Sequence, residues 1–346
     1  MSAPLEYLTQ EQIDKFYRDG YLVLPKFVDD DTVNALLTRS KELLDEFDAD
    51  NHPMTRFTTA DDDHVGDDYF LDSGDKIRYF LEPDAVTDGR LNRPKQLAVN
   101  KIGHALHTLD PLFRRVTLEN GRLRAVARDL KFHKDPVALQ SMVITKQPRI
   151  GGEVGEHNDS TFLYTSPPTA LGVWIALEPC TPTNGALSFL PGSHTKLAQI
   201  PGLEKTGGIE KRFVRLPTGG TGFEKIGTNT EDPTVEGEYE LAECEAGTTL
   251  LIHGAVLHKS PRNTGERTRF AYTFHMVENP WPEGRGDVKD KATGRGDDEA
   301  TGRGDDEAAG EPTDSTHPHE DTHPRVIYDE KNWLQPGKEG FARVFG

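Results

Sequence analysis

Cysteine is nearly absent: Cys180 and Cys244 are the only two in 346 residues. That excludes a disulfide framework and fits a reducing compartment. No apolar run approaches the roughly 20 residues that a membrane helix needs, so no spanning helix is expected. The first residues show no basic stretch followed by an apolar one, and no secretory leader is expected. The chain closes on Arg-Val-Phe-Gly rather than Ser-Lys-Leu, so no peroxisomal address is expected either. The cytoplasm is the expected location. Basic residues are outnumbered by acidic ones, 40 to 58, for a net charge of −18. This balance argues against nucleic acid or an anionic membrane as partner. What is present is an apolar fraction of 34% with 3 Trp, 9 Tyr and 16 Phe, enough for one real core and consistent with a monomer. The length allows two average domains or one large barrel.

In chain order, Thr9 and Gln12 predict a capping box opening a short helix that stops at Gly20. Tyr21–Phe27 reads as a strand. Asp29 to Asp31 offer caps and first-turn acids for a helix with Val33, Leu36, Leu37, Leu43, Leu44 and Phe47 on its apolar stripe. Asp48 to Gly66 reads as loop, Tyr69–Leu71 and Lys76–Leu81 as paired strands, and Asn100 onward as a helix burying Ile102, Leu106 and Leu109. Leu123–Leu130 is a second helical stretch. From Val137 the signal turns to strands: Val137–Thr145, Leu171–Leu177, Ala186–His194, Thr248–His253 and Arg269–His275. Asn184-Gly185 predicts a hairpin turn. Residues 198–240 read as a long excursion over the site. Strands of this length between Gly/Pro turns, after helices, predict a mainly β fold: a double-stranded β-helix of jelly-roll or cupin type with flanking helices.

Residues 283–324 are different material. Gly294-Arg-Gly-Asp-Asp-Glu-Ala-Thr301 returns as Gly302-Arg-Gly-Asp-Asp-Glu-Ala-Ala309. With almost no apolar residues the segment cannot offset its ordering entropy, and a disordered acidic insertion is expected. Its His317, His319 and His323 read as a solvated linker rather than a metal site. The division is therefore a domain over 1–282, the insertion over 283–324, and a tail over 325–346 that docks back through Trp333.

The chemistry centres on Gly151-Gly-Glu-Val-Gly-Glu-His-Asn-Asp-Ser-Thr-Phe162. His157 and Asp159 are one residue apart in an extended run, where positions i and i+2 share a face. An imidazole and a carboxylate so placed are two parts of the 2-His-1-carboxylate triad that holds non-haem Fe(II). The pattern also occurs at His133/Asp135 and His319/Asp321, so it identifies nothing alone. A second histidine must come from a distant strand, and His194, His253, His258 and His275 are candidates. In oxygenases that use 2-oxoglutarate, the distal histidine is followed about ten residues later by a basic residue. That residue pairs with the far carboxylate of the co-substrate, a match that a guanidinium fork makes well. His258 has this pattern, with Arg269 eleven residues on, Ser260 as a second donor and Arg267 as a competitor. His253 has Thr264 at the same offset. His194 and His253 read as turn-stabilising histidines.

These residues, with Phe16–Tyr21, Ser73–Arg78, Asn100–His107, Gln140–Met142, Leu171–Ala176, Pro191–Thr195, Ala271–His275 and Asn332–Pro336, resemble the phytanoyl-CoA dioxygenase family. The resemblance spans nearly the whole chain outside the acidic segment. It implies the double-stranded β-helix, Fe(II) held by His157, Asp159 and His258, and 2-oxoglutarate held by Lys101, Met142, Trp174, Ser260 and Arg269. Asn158, between two of the ligands, is counted with the cofactor-binding residues, and ascorbate is a candidate reductant. The implied activity is O2-dependent hydroxylation of a small organic substrate with release of succinate and CO2. Asp159 matters to that choice, because Gly or Ala in its place would suggest a halogenase. A non-catalytic iron and 2-oxoglutarate sensor or scaffold is the alternative, and a zinc or other cupin-type hydrolase or isomerase a third.

Overall fold

Alternation along the central strands explains the layers. In Leu171–Ala176, the side chains of Leu171, Val173 and Ile175 join one apolar cluster, and those of Trp174 and Ala176 join another. Thr249–His253 divides likewise, Leu251 to the first cluster and Leu250 and Ile252 to the second. Successive side chains of a strand point to opposite faces, so each strand is covered on both sides. The computed structural model describes residues 4–56, 68–280, 326–335 and 341–345.

The larger sheet is antiparallel, in the order Tyr21–Leu24, Thr249–His253, Leu171–Ala176, Arg269–Glu278, Pro136–Lys146, Val99–His104, Ile77–Leu81. Ala342–Arg343 adds to Pro136–Lys146. A smaller sheet runs Glu240–Ala242, Leu187–Phe189, His258–Ser260, Val154–His157. The first cluster lies between the larger sheet and the helices Gln10–Asp19, Asp30–Glu46, Pro111–Leu118 and Gly121–Leu130. The second fills the space between the two sheets. Two facing sheets with helices packed outside one of them is the predicted jelly roll.

Local rules hold at the N-terminus. Thr9 and Gln12 form the reciprocal cap, and Gly20 ends that helix at φ +83°, a conformation that suits glycine. Asp29 caps Asp30–Glu46 through the Thr32 amide. Three expectations fail. The stretch from Asn100 begins not as a helix but as the strand Val99–His104, buried on both faces and paired with Ile77–Leu81 and Pro136–Lys146; only Leu106–Leu109 is helical, with Leu106 buried and Leu109, expected inside, exposed. A fully buried strand lacks the alternation that would separate it from a buried helix. Tyr69–Leu71 is not a strand; Asp68–Leu71 forms one helical turn, and Ile77–Leu81 pairs elsewhere. Asn184-Gly185 does turn, with Gly185 at φ +92°, but the flanking strands lie in different sheets, so no hairpin forms.

Residues 198–240 contain a hairpin, Lys211–Arg215 with Thr221–Lys225. The tail docks on it: Arg212 meets Asp329 at 2.8 Å and Lys331 meets Glu224 at 2.7 Å. The expected insertion at 283–324 lies outside the described residues. Among the described residues, no helix is long and apolar enough to cross a membrane.

Candidate metal centre and its cavity

Strand pairing brings the two distant imidazoles together. Val154–His157 and His258–Ser260 are antiparallel neighbours, and His258 lies directly opposite His157. Directly opposed residues on one face put their Cβ atoms about 5 Å apart, and these rings are centred 4.2 Å apart. The carboxylate arrives differently from expectation. Asp159 does not continue the strand; it starts the helical turn Asp159–Phe162. Asn158, expected among the cofactor residues, caps that turn, its Oδ1 accepting from the Thr161 amide at 2.9 Å. Asn158 is absent from the cavity lining among the described residues.

The ligand atoms of His157, Asp159 and His258 all lie within 4.8 Å of one another. Asp159 Oδ1 is 3.8 Å from His157 Nε2 and 3.7 Å from His258 Nε2. Each imidazole donates Nδ1–H to a backbone carbonyl two residues earlier, His157 to Gly155 at 2.8 Å and His258 to Val256 at 3.1 Å. This fixes the tautomer and turns the Nε2 lone pairs inward. Burial, with His258 alongside, pushes His157 down to about 4, so it is a neutral donor at ordinary pH. Burial would raise the Asp159 carboxyl, but the imidazoles of His275 and His258 more than offset it and hold it well below the usual carboxylate range. Two nitrogens and one anionic oxygen on one side of a cavity are a donor set suited to a divalent first-row metal.

His275, a rejected candidate for the second ligand, approaches the other carboxylate oxygen: its Nε2 is 3.3 Å from Asp159 Oδ2. It stands outside the three-residue cluster of donor atoms, and Asp159 Oδ2 accepts no hydrogen bond among the described residues. The signal was available, because Arg269, Ala271, Thr273 and His275 share one face by period two. Gly172 leaves room for this contact: a Cβ there would sit 3.1 Å from Asp159 Oδ2 and 3.5 Å from the His275 ring.

A cavity of about 150 Å³ opens beside the triad. Lys101, Met142, Trp174, Ser260 and Arg269 all line it. Arg269 is buried, its guanidinium 5.4 Å from the centre of the Trp174 ring. Its Nη2 donates to Ser260 Oγ at 3.3 Å, while Nε and Nη1 are buried without a hydrogen-bond partner. Ser260 in turn donates to the Gly185 carbonyl at 2.8 Å. Leaving a buried cation uncompensated costs several kcal/mol. These two orphan donors therefore call for an anion, and a carboxylate fits the fork. Lys101 is buried too, its Nζ 3.7 Å from Met142 Sδ, and burial pulls it well below the ordinary lysine value. Arg267, the competitor, precedes the strand and lines a separate surface depression with Pro148 and Glu178.

Lys146 anchors the loops around the site, its Nζ donating to Gly152 O at 2.5 Å and Pro261 O at 2.8 Å. Burial pulls its pKa down to about 6. His194 and His253, expected in turns, lie in the helix Ser193–Leu197 and at the end of the strand Thr249–His253, and neither lines the cavity; Ala255 N donates to His253 Nδ1 at 3.1 Å, and His194 Nε2 is 3.1 Å from Tyr17 O. Among the lining residues that sequence reasoning passed over are the aromatics Phe70, Phe162 and Trp333. Aromatic residues scattered over the chain carry no common spacing, and only folding collects them.

Fold and triad together define a class, the jelly-roll proteins with a His-Asp-His centre. The chain belongs to the phytanoyl-CoA dioxygenase family, whose model (Phytanoyl-CoA dioxygenase, PhyH) matches residues 16–271. It is 42% identical over 280 residues to the Bos taurus phytanoyl-CoA dioxygenase domain-containing protein 1, covering 78% of this chain and 90% of the relative. An Arabidopsis thaliana phytanoyl-CoA dioxygenase is 40% identical over 273 residues, covering 79% and 89%. Among solved structures, the non-heme alpha ketoglutarate dependent carbocyclase SnoK from nogalamycin biosynthesis superposes with a TM-score of 0.52. It is 16% identical and the match covers 78% of this chain and 84% of that one. EctD from S. alaskensis with bound Fe gives 0.50 at 20% identity, covering 78% and 77%. At these identities the likeness is one of fold.

Proposed function

We propose that the protein is an Fe(II)- and 2-oxoglutarate-dependent dioxygenase that hydroxylates a small organic substrate. The observation that carries this is the pairing, across one cavity, of a two-imidazole, one-carboxylate centre with a buried arginine whose Nε and Nη1 lack partners. His157, Asp159 and His258 would hold the iron, and Arg269 would take the far carboxylate of 2-oxoglutarate. Lys101, Met142, Trp174 and Ser260 would complete that end. Bound there, iron and 2-oxoglutarate supply the activation of O2, one oxygen atom entering a substrate C–H bond and the other the new carboxylate of succinate, as CO2 leaves.

The chain's own residues bind, orient and shield. The Gly155 and Val256 carbonyls hold the imidazole tautomers, and His275 lies 3.3 Å from the second oxygen of Asp159. Ser260 keeps Arg269 aimed by accepting from Nη2. Trp174 and Met142, both buried, exclude water from the cationic end. The test is succinate release from labelled 2-oxoglutarate by iron-loaded protein in air. His157→Ala and His258→Ala are expected to abolish it; undiminished turnover by either variant would refute the reading.

A further inference from the structure

The cavity has a second end that iron and 2-oxoglutarate would leave free, and a substrate role for that end rests on the dioxygenase reading. A row of rings leads away from the metal centre. Phe162 lies 6.1 Å from the His157 ring, Phe213 5.6 Å from Phe162, Trp333 6.5 Å from Phe213, and Phe70 stacks on Trp333 at 4.7 Å and 27°. Of these, Phe162, Trp333 and Phe70 line the cavity.

Trp333 comes from the C-terminal tail, yet it is among the most firmly seated of these residues. Its Nε1–H donates to the Phe162 carbonyl at 3.0 Å, and its own carbonyl accepts from Arg215 Nε at 3.0 Å. Asn332 beside it donates to Tyr164 O at 2.9 Å. With its one polar atom engaged, the indole offers only apolar surface to the cavity. The charged side chains among the cavity's lining residues are Lys101, Asp159 and Arg269, which the dioxygenase reading already assigns to iron and 2-oxoglutarate. His104, edge-on to Trp333 at 5.2 Å, is kept neutral by burial, which holds it well below the ordinary histidine value. A phosphate or carboxylate among the rings would find no countercharge beyond the Lys101 and Arg269 that 2-oxoglutarate would engage, and burying one unpaired is costly.

We propose that the substrate presents a neutral ring to this end, and that Trp333 is the specificity-determining residue that seats the ring beside Phe162, whose own ring lies edge-on to His157. Aromatic rings prefer such offset or edge contacts with other rings. The tail is then part of the active site rather than a cover for the barrel.

The test uses the full chain loaded with Fe(II) and 2-oxoglutarate under argon, followed by the visible charge-transfer band of the chelate. The probes are indole, benzyl alcohol and cyclohexanol against octanoate and octanoyl-CoA. The ring probes are expected to perturb the band and, on admission of air, to speed succinate release. Trp333→Leu should raise the half-saturating indole concentration about tenfold, the loss expected of one aromatic face. Trp333→Phe should restore most of it, and the half-saturating 2-oxoglutarate concentration should stay put in both. Saturation by octanoate or octanoyl-CoA with no response to any ring probe would overturn the inference, as would an indole response that Trp333→Leu leaves unmoved. A wild-type protein that forms no band at all would refute the dioxygenase reading itself and remove the basis of the inference; a band without ring preference refutes the inference alone.

Discussion

A single buried guanidinium carries the heaviest demand in the molecule. Arg269 has one hydrogen bond, to Ser260, and two donors with none. Arg269→Ala should raise the KM for 2-oxoglutarate roughly 10- to 100-fold, the range of one or two charge-assisted hydrogen bonds. Arg269→Lys should recover little, because a point charge cannot reproduce the fork. Saturation kinetics of succinate release would check both. The histidines bring a pH dependence with a definite direction. Burial, then the neighbouring His194, pushes His253 down to about 3, whereas in the unfolded chain it titrates near 6.5. Between those values the unfolded state binds more protons, so stability rises with pH there. The contribution is present in full above pH 6.5 and is lost as pH falls toward 3, by about 2 kcal/mol at pH 5. Burial lowers His104 and His133 as well, so they act in the same sense. Urea unfolding at pH 7 and pH 5 should show the loss, and His253→Gln should reduce it.

At the scale of elements, the centre depends on how closely two strands approach the Asp159–Phe162 turn. Gly172, the second residue of Leu171–Ala176, has no Cβ, and that gap is where Asp159 and His275 meet. A methyl group there would also sit 3.3 Å from Ile252 Cβ, so the neighbours must give way. Gly172→Ala is expected to keep the fold, cost about 1–3 kcal/mol as overpacking does, and weaken Fe(II) binding roughly tenfold by displacing a ligand-orienting contact. Thermal unfolding and an iron titration would separate the two effects. An unchanged iron affinity would mean that His275 does not position Asp159.

For the whole molecule, the two sheets and the docked tail close on one cavity, so ligands that bind there bind the folded state alone. Fe(II) with 2-oxoglutarate, added under argon at about 100 times their Kd, should stabilise by about 2.7 kcal/mol per site, seen as a rise in Tm that a chelator reverses. No rise with either ligand would count against the proposed occupants. Much of this was legible in the residues themselves. The capped N-terminal helices, the jelly-roll strands, and the offset from His258 to Arg269 follow from turn residues, period two and counting along the chain, all of which are local or countable. Other features were not. Val99–His104 read as a helix because a strand buried on both faces carries no alternation. Asn158 is a helix cap because the chain leaves the strand after His157, two residues sooner than its pattern shows. Which of four histidines faces His157, what His275 touches, and which rings wall the cavity were decided only by the folded molecule. They depend on register between strands more than a hundred residues apart and on a tail that packs from the far end, and neither leaves a periodic mark along the chain.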